Sequence, residues 1–325
     1  MEHTLGRRDG LPDGSSGELP VTRIRDIGFI GLGRMGLPMA VRLARAGYRV
    51  RGFDISERAR AAFRGLSRED PDAAFAADDA AGAATAADAV ILMLPGSPAI
   101  GEVAHDQGLL TAMRPGALLI DMSSADPAAT TELAAEADAM NLTLIGAPVS
   151  GGISGAKNGT LTIMAGGPAS AVRRARPVLA TLGARVIHVG EMPGAGHALK
   201  ALNNLMAAVH LLATSEAMLA GQRFGLDPAV MLDVVNTSTG RSFSTLREWP
   251  DYVLPGRYES GFGIDLLLSD ALTGLSIQRE AGTGTRLAEV AVEMWRRAAH
   301  WLPAGADHTE LVRWLEHTRE GATDR

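Results

Sequence analysis

Short apolar runs alternate with stretches of helical spacing to about residue 190, and only helical spacing follows. The runs at 25–30, 48–53, 89–94, 117–120, 142–145, 160–165 and 185–189 predict buried strands. Between them, apolar residues recurring three and four apart predict helices at 35–46, 57–65, 126–140 and 168–179. The Ala/Asp-rich stretch 70–88 predicts helix and loop without clear bounds. From Gly194 onward the pattern predicts helices at 198–224, 228–236, 265–281, 286–301 and 308–317, and no further strand. Alternation of strand and helix gives a mostly parallel sheet with helices on both faces. The fold class is therefore α/β, a doubly wound sheet followed by an all-helical domain.

The first strand runs into Gly31, Leu32, Gly33, Arg34, Met35 and Gly36, a G-x-G-x-x-G turn that opens the first helix. Strand, glycine turn and helix in this order form a Rossmann-like dinucleotide signature. The first glycine permits the tight turn, the second lets backbone approach a pyrophosphate, and the third lets helix pack on strand. N–H groups at the helix start favour the phosphate charge. The second strand ends at Asp54, where a carboxylate can accept hydrogen bonds from the adenosine ribose and repel a 2′-phosphate. That points to NAD rather than NADP, with Arg51 and Arg58 as the opposing charges. In such sheets ligands bind beyond the carboxyl ends of the strands, which puts Leu94 and Pro95, residues 121–124 and residues 147–152 on the same edge as the glycines.

Length and composition narrow the field. The 325 residues suffice for two domains, and 46% hydrophobic residues suit a globular core. The predicted division is an N-terminal extension at 1–23, a dinucleotide-binding domain at 24–190, a helical substrate and oligomerisation domain at 191–319, and a tail at 320–325. A net charge of −6 without a basic run argues against a nucleic-acid partner. No apolar run has the length of a membrane span. Arg7 and Arg8 are followed by no apolar segment, so they do not make an export signal. The absence of cysteine excludes disulfides and thiolate chemistry and fits a reducing cytoplasm.

Three segments beyond the glycine turn carry candidate chemistry. Ser150, Gly151 and Gly152 at a strand end form either a cradle for a substrate carboxylate or a plain turn. Lys200 and Asn204 share one face of a helix, with His197 one turn earlier. Partial burial among Leu199, Ala201 and Leu202 lowers a lysine pKa and makes a proton-transfer group; the other reading is a lysine snorkelling from a core helix. Phe262 and Asp270 reach the same cleft if the helical domain closes over the sheet edge; otherwise Phe262 belongs to the core and Asp270 to the surface. No set of side chains has metal-ligand spacing, and no metal is expected.

GLGRMGLPMA, the MLP at 93–95, DMSSADP, APVSGGISGAKNGTLTIMAGG and GAGHALKALNN occur in the order and spacing of the β-hydroxyacid dehydrogenases. The resemblance covers about residues 26–316. It implies a Rossmann-like domain joined through a long helix to a helical domain, and commonly a homodimer or homotetramer. Lys200 matches the family's catalytic lysine and Asn204 a substrate-binding asparagine. Ser150, Gly151 and Gly152 match the carboxylate-binding segment, Leu94, Pro95 and Ser124 match cofactor contacts, and Phe262 and Asp270 match pocket residues. One departure stands out: relatives carry Lys-Asp where this chain has Ser269-Asp270. The expected activity is hydride transfer between NAD and a small 3-hydroxy acid, as in 3-hydroxyisobutyrate dehydrogenase-like enzymes. The rivals are a non-catalytic dinucleotide-binding module and an imine reductase of the same architecture.

Overall fold

The computed structural model describes residues 23–66 and 73–319, so the expected extension (except Arg23) and the tail lie outside the described residues. Nine strands among the described residues form one sheet. In chain order they are β1 (Asp26–Ile30), β2 (Arg49–Phe53), β3 (Ala74–Ala76), β4 (Ala89–Leu92), β5 (Leu118–Asp121), β6 (Thr143–Gly146), β7 (Val149–Ser150), β8 (Thr162–Gly166) and β9 (Arg185–Gly190). They lie in the order 3-2-1-4-5-6-8-7, with β9 also paired to β8. β1 to β6 run parallel, while β8 runs antiparallel to β6 and β7 and parallel to β9. The order reverses between β1 and β4, which opens a crevice at their carboxyl ends.

β4 is buried along its whole length and shows how the layers arise. Period-two alternation sends Ile91 to one face, with Phe29, Met39, Leu43 and Ile120, and sends Val90 and Leu92 to the other, with Ile30, Leu119 and Leu133. The connecting helices are α1 (Gly36–Arg45), α2 (Glu57–Leu66), α3 (Ala80–Ala84), α4 (Ser97–Gly101, continuing as a π-turn at Glu102–Asp106), α5 (Leu109–Ala112), α6 (Pro127–Ala139), α7 (Gly152–Asn158) and α8 (Ala169–Leu182). Their starts follow local chemistry. At α6, the Asp126 carboxylate accepts the N–H groups of Ala128 and Ala129 at 2.8 and 3.1 Å, and Pro127 occupies the first turn.

The second half is helical: α9 (Ala195–Phe224), α10 (Pro228–Asn236), a π-helical stretch (Ser244–Val253), α11 (Ile264–Glu280), α12 (Arg286–Trp301), a 3₁₀ turn (His308–Glu310) and α13 (Leu311–Arg319). α9 is its spine. Leu205, Ala208, Leu211 and Leu212 on α9 pack with Trp249, Leu275, Trp295 and Leu311. Two of the buried indoles donate inward, Trp295 to the Ala208 carbonyl and Trp249 to Ser215 Oγ, each at 3.2 Å.

The helix-and-loop expectation for 70–88 is corrected within its described part by β3, ahead of α3. Alanine is a poor strand former, but pairing Val50, Arg51 and Gly52 of β2 with 74–76 overrides that preference. β7, α4, α5, α7 and the π-helical stretch also escaped the periodic pattern, because each is too short or too irregular to show a full period.

Candidate active site

Three glycines at the crevice differ in what surrounds them. Gly31 has φ +96°, and a Cβ on it would run into the Met93 carbonyl. A Cβ on Gly36 would strike the Gly31 carbonyl, so α1 closes directly on the turn. At Gly33 a Cβ would meet nothing within 4 Å. The turn therefore presents bare backbone to open space at the start of a helix, and this fits a pyrophosphate. Leu32 and Gly36 are buried, Met35 is half-buried, and Gly33 and Arg34 are exposed.

Asp54 is bound to this turn. Its carboxylate accepts the Leu32 N–H at 2.7 Å and the Ser56 N–H at 2.8 Å. Leu94 is half-buried and Pro95 exposed at the neighbouring strand end. The Leu94 N–H donates to Ser123 Oγ at 3.0 Å, and the Ser123 N–H donates to Asp121 Oδ1 at 3.0 Å. The buried Ser123, which sequence reading passed over for the half-buried Ser124, thus ties β4 to β5. Two serines in a row gave no sign of which faces inward.

Ser150 ends β7, and the next two residues turn the chain with positive φ, +132° at Gly151 and +60° at Gly152. Both glycines are exposed and Ser150 is half-buried. Side chains beyond glycine are strained in such backbone.

The helical half contributes a compact polar group. Asn204 Nδ2 on α9 donates to Asp270 Oδ2 on α11 at 2.5 Å, and the Asn203 amide donates to Asn204 Oδ1 at 3.1 Å. Asn204 and Asp270 are both buried. Lys200 lies one turn before Asn204 and is half-buried. Burial lowers the Lys200 pKa, against the opposing pull of the Asp270 charge. Burial raises the Asp270 pKa, against the charge of Lys200 and the Asn204 hydrogen bond. Both members are thus displaced towards their neutral forms, and a neutral amine can accept a proton. Ser269, one position before Asp270, is exposed.

His197 is separate from that group. It is buried at the seam between the halves, with Nδ1 3.0 Å from Thr130 Oγ1 and Nε2 3.5 Å from Asp121 Oδ2. The latter is an approach rather than a hydrogen bond, because Nε2 finds no aligned acceptor among the described residues. Burial lowers its pKa and keeps the ring neutral. A Cβ on Gly146 would come within 2.9 Å of the imidazole, so β6 is glycine where the ring packs.

Phe262 is half-buried and meets His308 edge-on, ring centroids 5.6 Å apart. Its neighbour Gly261 faces the first half: a Cβ there would lie 3.0 Å from Ile153 and 3.1 Å from the Arg34 guanidinium. The segment therefore bridges the glycine turn and the residue following the Ser150 turn.

Known proteins match this chain along both halves. Residues 26–190 match a family model described as the NAD binding domain of 6-phosphogluconate dehydrogenase. Residues 194–315 match one described as NAD-binding of NADP-dependent 3-hydroxyisobutyrate dehydrogenase. A 3-hydroxyisobutyrate dehydrogenase of Pseudomonas aeruginosa is 37% identical, covering 88% of this chain and 95% of its own. An NAD-dependent L-serine dehydrogenase of the same species is 35% identical over 84% and 92%. The structure of Mycobacterium tuberculosis 3-hydroxyisobutyrate dehydrogenase with L-serine superposes with a TM-score of 0.80 at 31% identity, covering 90% of this chain and 99% of that one. With dinucleotide-type backbone on the sheet, a lysine–asparagine–aspartate group on the helices and these relatives along both halves, the chain belongs to the β-hydroxyacid dehydrogenase family, an NAD(P)-dependent oxidoreductase of the 3-hydroxyisobutyrate dehydrogenase type.

Proposed function

We propose that the chain oxidises the hydroxyl of a small 3-hydroxy acid with NAD in preference to NADP. The observation that carries this is Lys200, half-buried beside Asp270 with Asn204 fixed to the same carboxylate. When bound, the nicotinamide supplies the hydride acceptor. Gly31, Leu32, Gly33, Arg34, Met35 and Gly36 hold the pyrophosphate, Asp54 the adenosine ribose, and Leu94, Pro95 and Ser124 line the path along the strand ends.

In this reading Lys200 takes the hydroxyl proton during oxidation and returns it in reduction. Asn204 orients the hydroxyl, its amide set by Asp270. Ser150 Oγ and the N–H groups of Gly151 and Gly152 hold the carboxylate, and Phe262 bounds the pocket. A lysine with a carboxylate partner suits an alcohol better than an imine, and suits catalysis better than cofactor binding alone. Residues 24–190 then serve the cofactor and 191–319 the substrate and self-association. Exposed Phe224, Val230, Val234, Leu287 and Val290 on the helical half support a homodimer or homotetramer. A cysteine-free chain in which no described helix is long and apolar enough to cross a membrane supports a cytoplasmic setting.

The test is Lys200→Ala, assayed by nicotinamide absorbance on a panel of 3-hydroxyisobutyrate, L-serine and 3-hydroxypropionate. The rate should fall by roughly a hundredfold or more, with NAD affinity little changed. Near-wild-type turnover would remove Lys200 from the mechanism, and no turnover by wild type on any hydroxy acid would refute the reading.

A further inference from the structure

We propose that His308 is a positioning residue, clasping the 260–263 segment of the helical half onto the glycine turn and the Ser150 turn and so setting the affinity for the hydroxy acid. The inference rests on the functional reading above. His308 is buried in the 3₁₀ turn, and its ring meets a carboxylate, a carbonyl and a hydroxyl. Nε2 lies 2.8 Å from Oε1 of Glu248, itself buried on the π-helical stretch. Nδ1 lies 3.1 Å from the Phe262 carbonyl and 3.1 Å from Ser260 Oγ. The Ser260 hydroxyl has its proton directed at Asp307, 2.8 Å from each carboxylate oxygen, so it offers Nδ1 a lone pair. Only an imidazolium has an N–H for both sides.

The charged groups acting on the ring fit that form. Glu248 faces it from the π-helical stretch, and Asp307 from its own turn with Oδ1 3.5 Å from Nδ1. Glu310 is turned to the Asp307 N–H and to Arg313. Burial lowers the His308 pKa, but the Glu248 hydrogen bond and the carboxylate charges outweigh it, and the net displacement is upward.

The clasped segment also has backbone ties. The His308 N–H donates to the Phe262 carbonyl and the Ile264 N–H to the Ala306 carbonyl, each at 2.9 Å, and the Gly261 N–H donates to Asp307 at 2.8 Å. Its far side is Gly261, at φ +89°, against Arg34 and Ile153. A ring that gives up one proton turns a lone pair on an acceptor, and buried acceptor–acceptor contacts are repelled. Proton loss therefore loosens the segment that bears Phe262.

The experiment compares full-length wild type, His308→Gln and Glu248→Gln, using 3-hydroxyisobutyrate and L-serine at saturating NAD from about pH 6.5 to about pH 9. In wild type, KM should climb with pH. In His308→Gln it should start roughly tenfold higher and rise less steeply than in wild type, by the share that the histidine causes, with kcat and NAD Kd within about twofold. In Glu248→Gln, which keeps an acceptor but removes the charge, the climb should begin at lower pH. Lys200 titrates in all three proteins and cancels in the comparison. Backbone hydrogen exchange at Gly261 and Phe262, corrected for intrinsic rates, should speed up in His308→Gln. An unchanged KM in His308→Gln, or a climb in it as steep as wild type's, overturns the proposal. Should that variant not fold, an unshifted climb in Glu248→Gln overturns it. If wild type turns over neither acid, the functional reading fails separately and exchange decides the clasp: retained protection of both amides refutes it, and lost protection supports it.

Discussion

Asp54 uses both carboxylate oxygens on backbone N–H groups of Leu32 and Ser56, so it shapes the glycine turn besides the ribose contact proposed for it. Of the two arginines that could oppose it, Arg51 donates to the Thr85 carbonyl, while Arg58 is exposed. Asp54→Ala should therefore raise KM for NAD and cut the NAD-over-NADP ratio of kcat/KM by roughly tenfold. A wild-type KM lower for NADP than for NAD would show Arg58 prevailing. Ser269 leaves the exposed position beside Asp270 without the positive charge that the family resemblance leads one to expect there. Ser269→Lys should improve 3-hydroxyisobutyrate use chiefly through KM, because the added attraction acts on bound substrate and transition state alike. No change, with wild type already efficient on that acid, would mark the serine as neutral. At this scale the chain was legible where spacing on one helix sufficed, as for Lys200 and Asn204. Ser123 and the Asp121–His197–Thr130 contacts were not, since they join residues far apart in sequence.

At the scale of elements, the α9–α11 contact decides the geometry of the Lys200–Asn204–Asp270 group. Gly274 lies at its centre: a Cβ there would be 2.9 Å from the Ala201 carbonyl and 3.0 Å from Leu205 Cβ. Gly274→Ala should wedge α11 off α9, lengthen the Asn204–Asp270 hydrogen bond and destabilise the fold by about 1–3 kcal/mol, the usual cost of overpacking. Calorimetry and kcat check this together; a variant with unaltered melting and turnover would show the helices free to adjust. The limits of sequence reading also have a physical cause here. α10 and α12 matched their periodic pattern residue for residue, whereas the 244–253 stretch contains Pro250, which has no N–H for an α-helical bond, and the chain takes a wider π-helical path.

At the scale of the molecule, two buried histidines pull stability in opposite directions with pH. The folded pKa of His197 lies below its ordinary value, so the unfolded chain binds the proton more tightly. Its contribution is present above about pH 6.5 and is lost as pH falls through that value. The folded pKa of His308 lies above its ordinary value. Its contribution is full below about pH 6.5 and is lost as pH rises through the folded value. Melting temperature against pH should therefore form a dome. His197→Gln should flatten the acid limb and His308→Gln the alkaline limb; a limb that keeps its slope in its own variant would assign the titration elsewhere.

The close approach at Gly274 also has an evolutionary consequence. It seats Gly274 against the Ala201 carbonyl and Leu205 Cβ, so drift away from glycine at 274 disturbs the α9–α11 crossing. The exposed Ser269 and the half-buried Asn203 and Phe262 take no part in that fit. Lineages descended from such a chain can diversify what they oxidise at those positions while the helix crossing stays fixed. Catalysis is thereby inherited as architecture, and substrate choice remains open to selection.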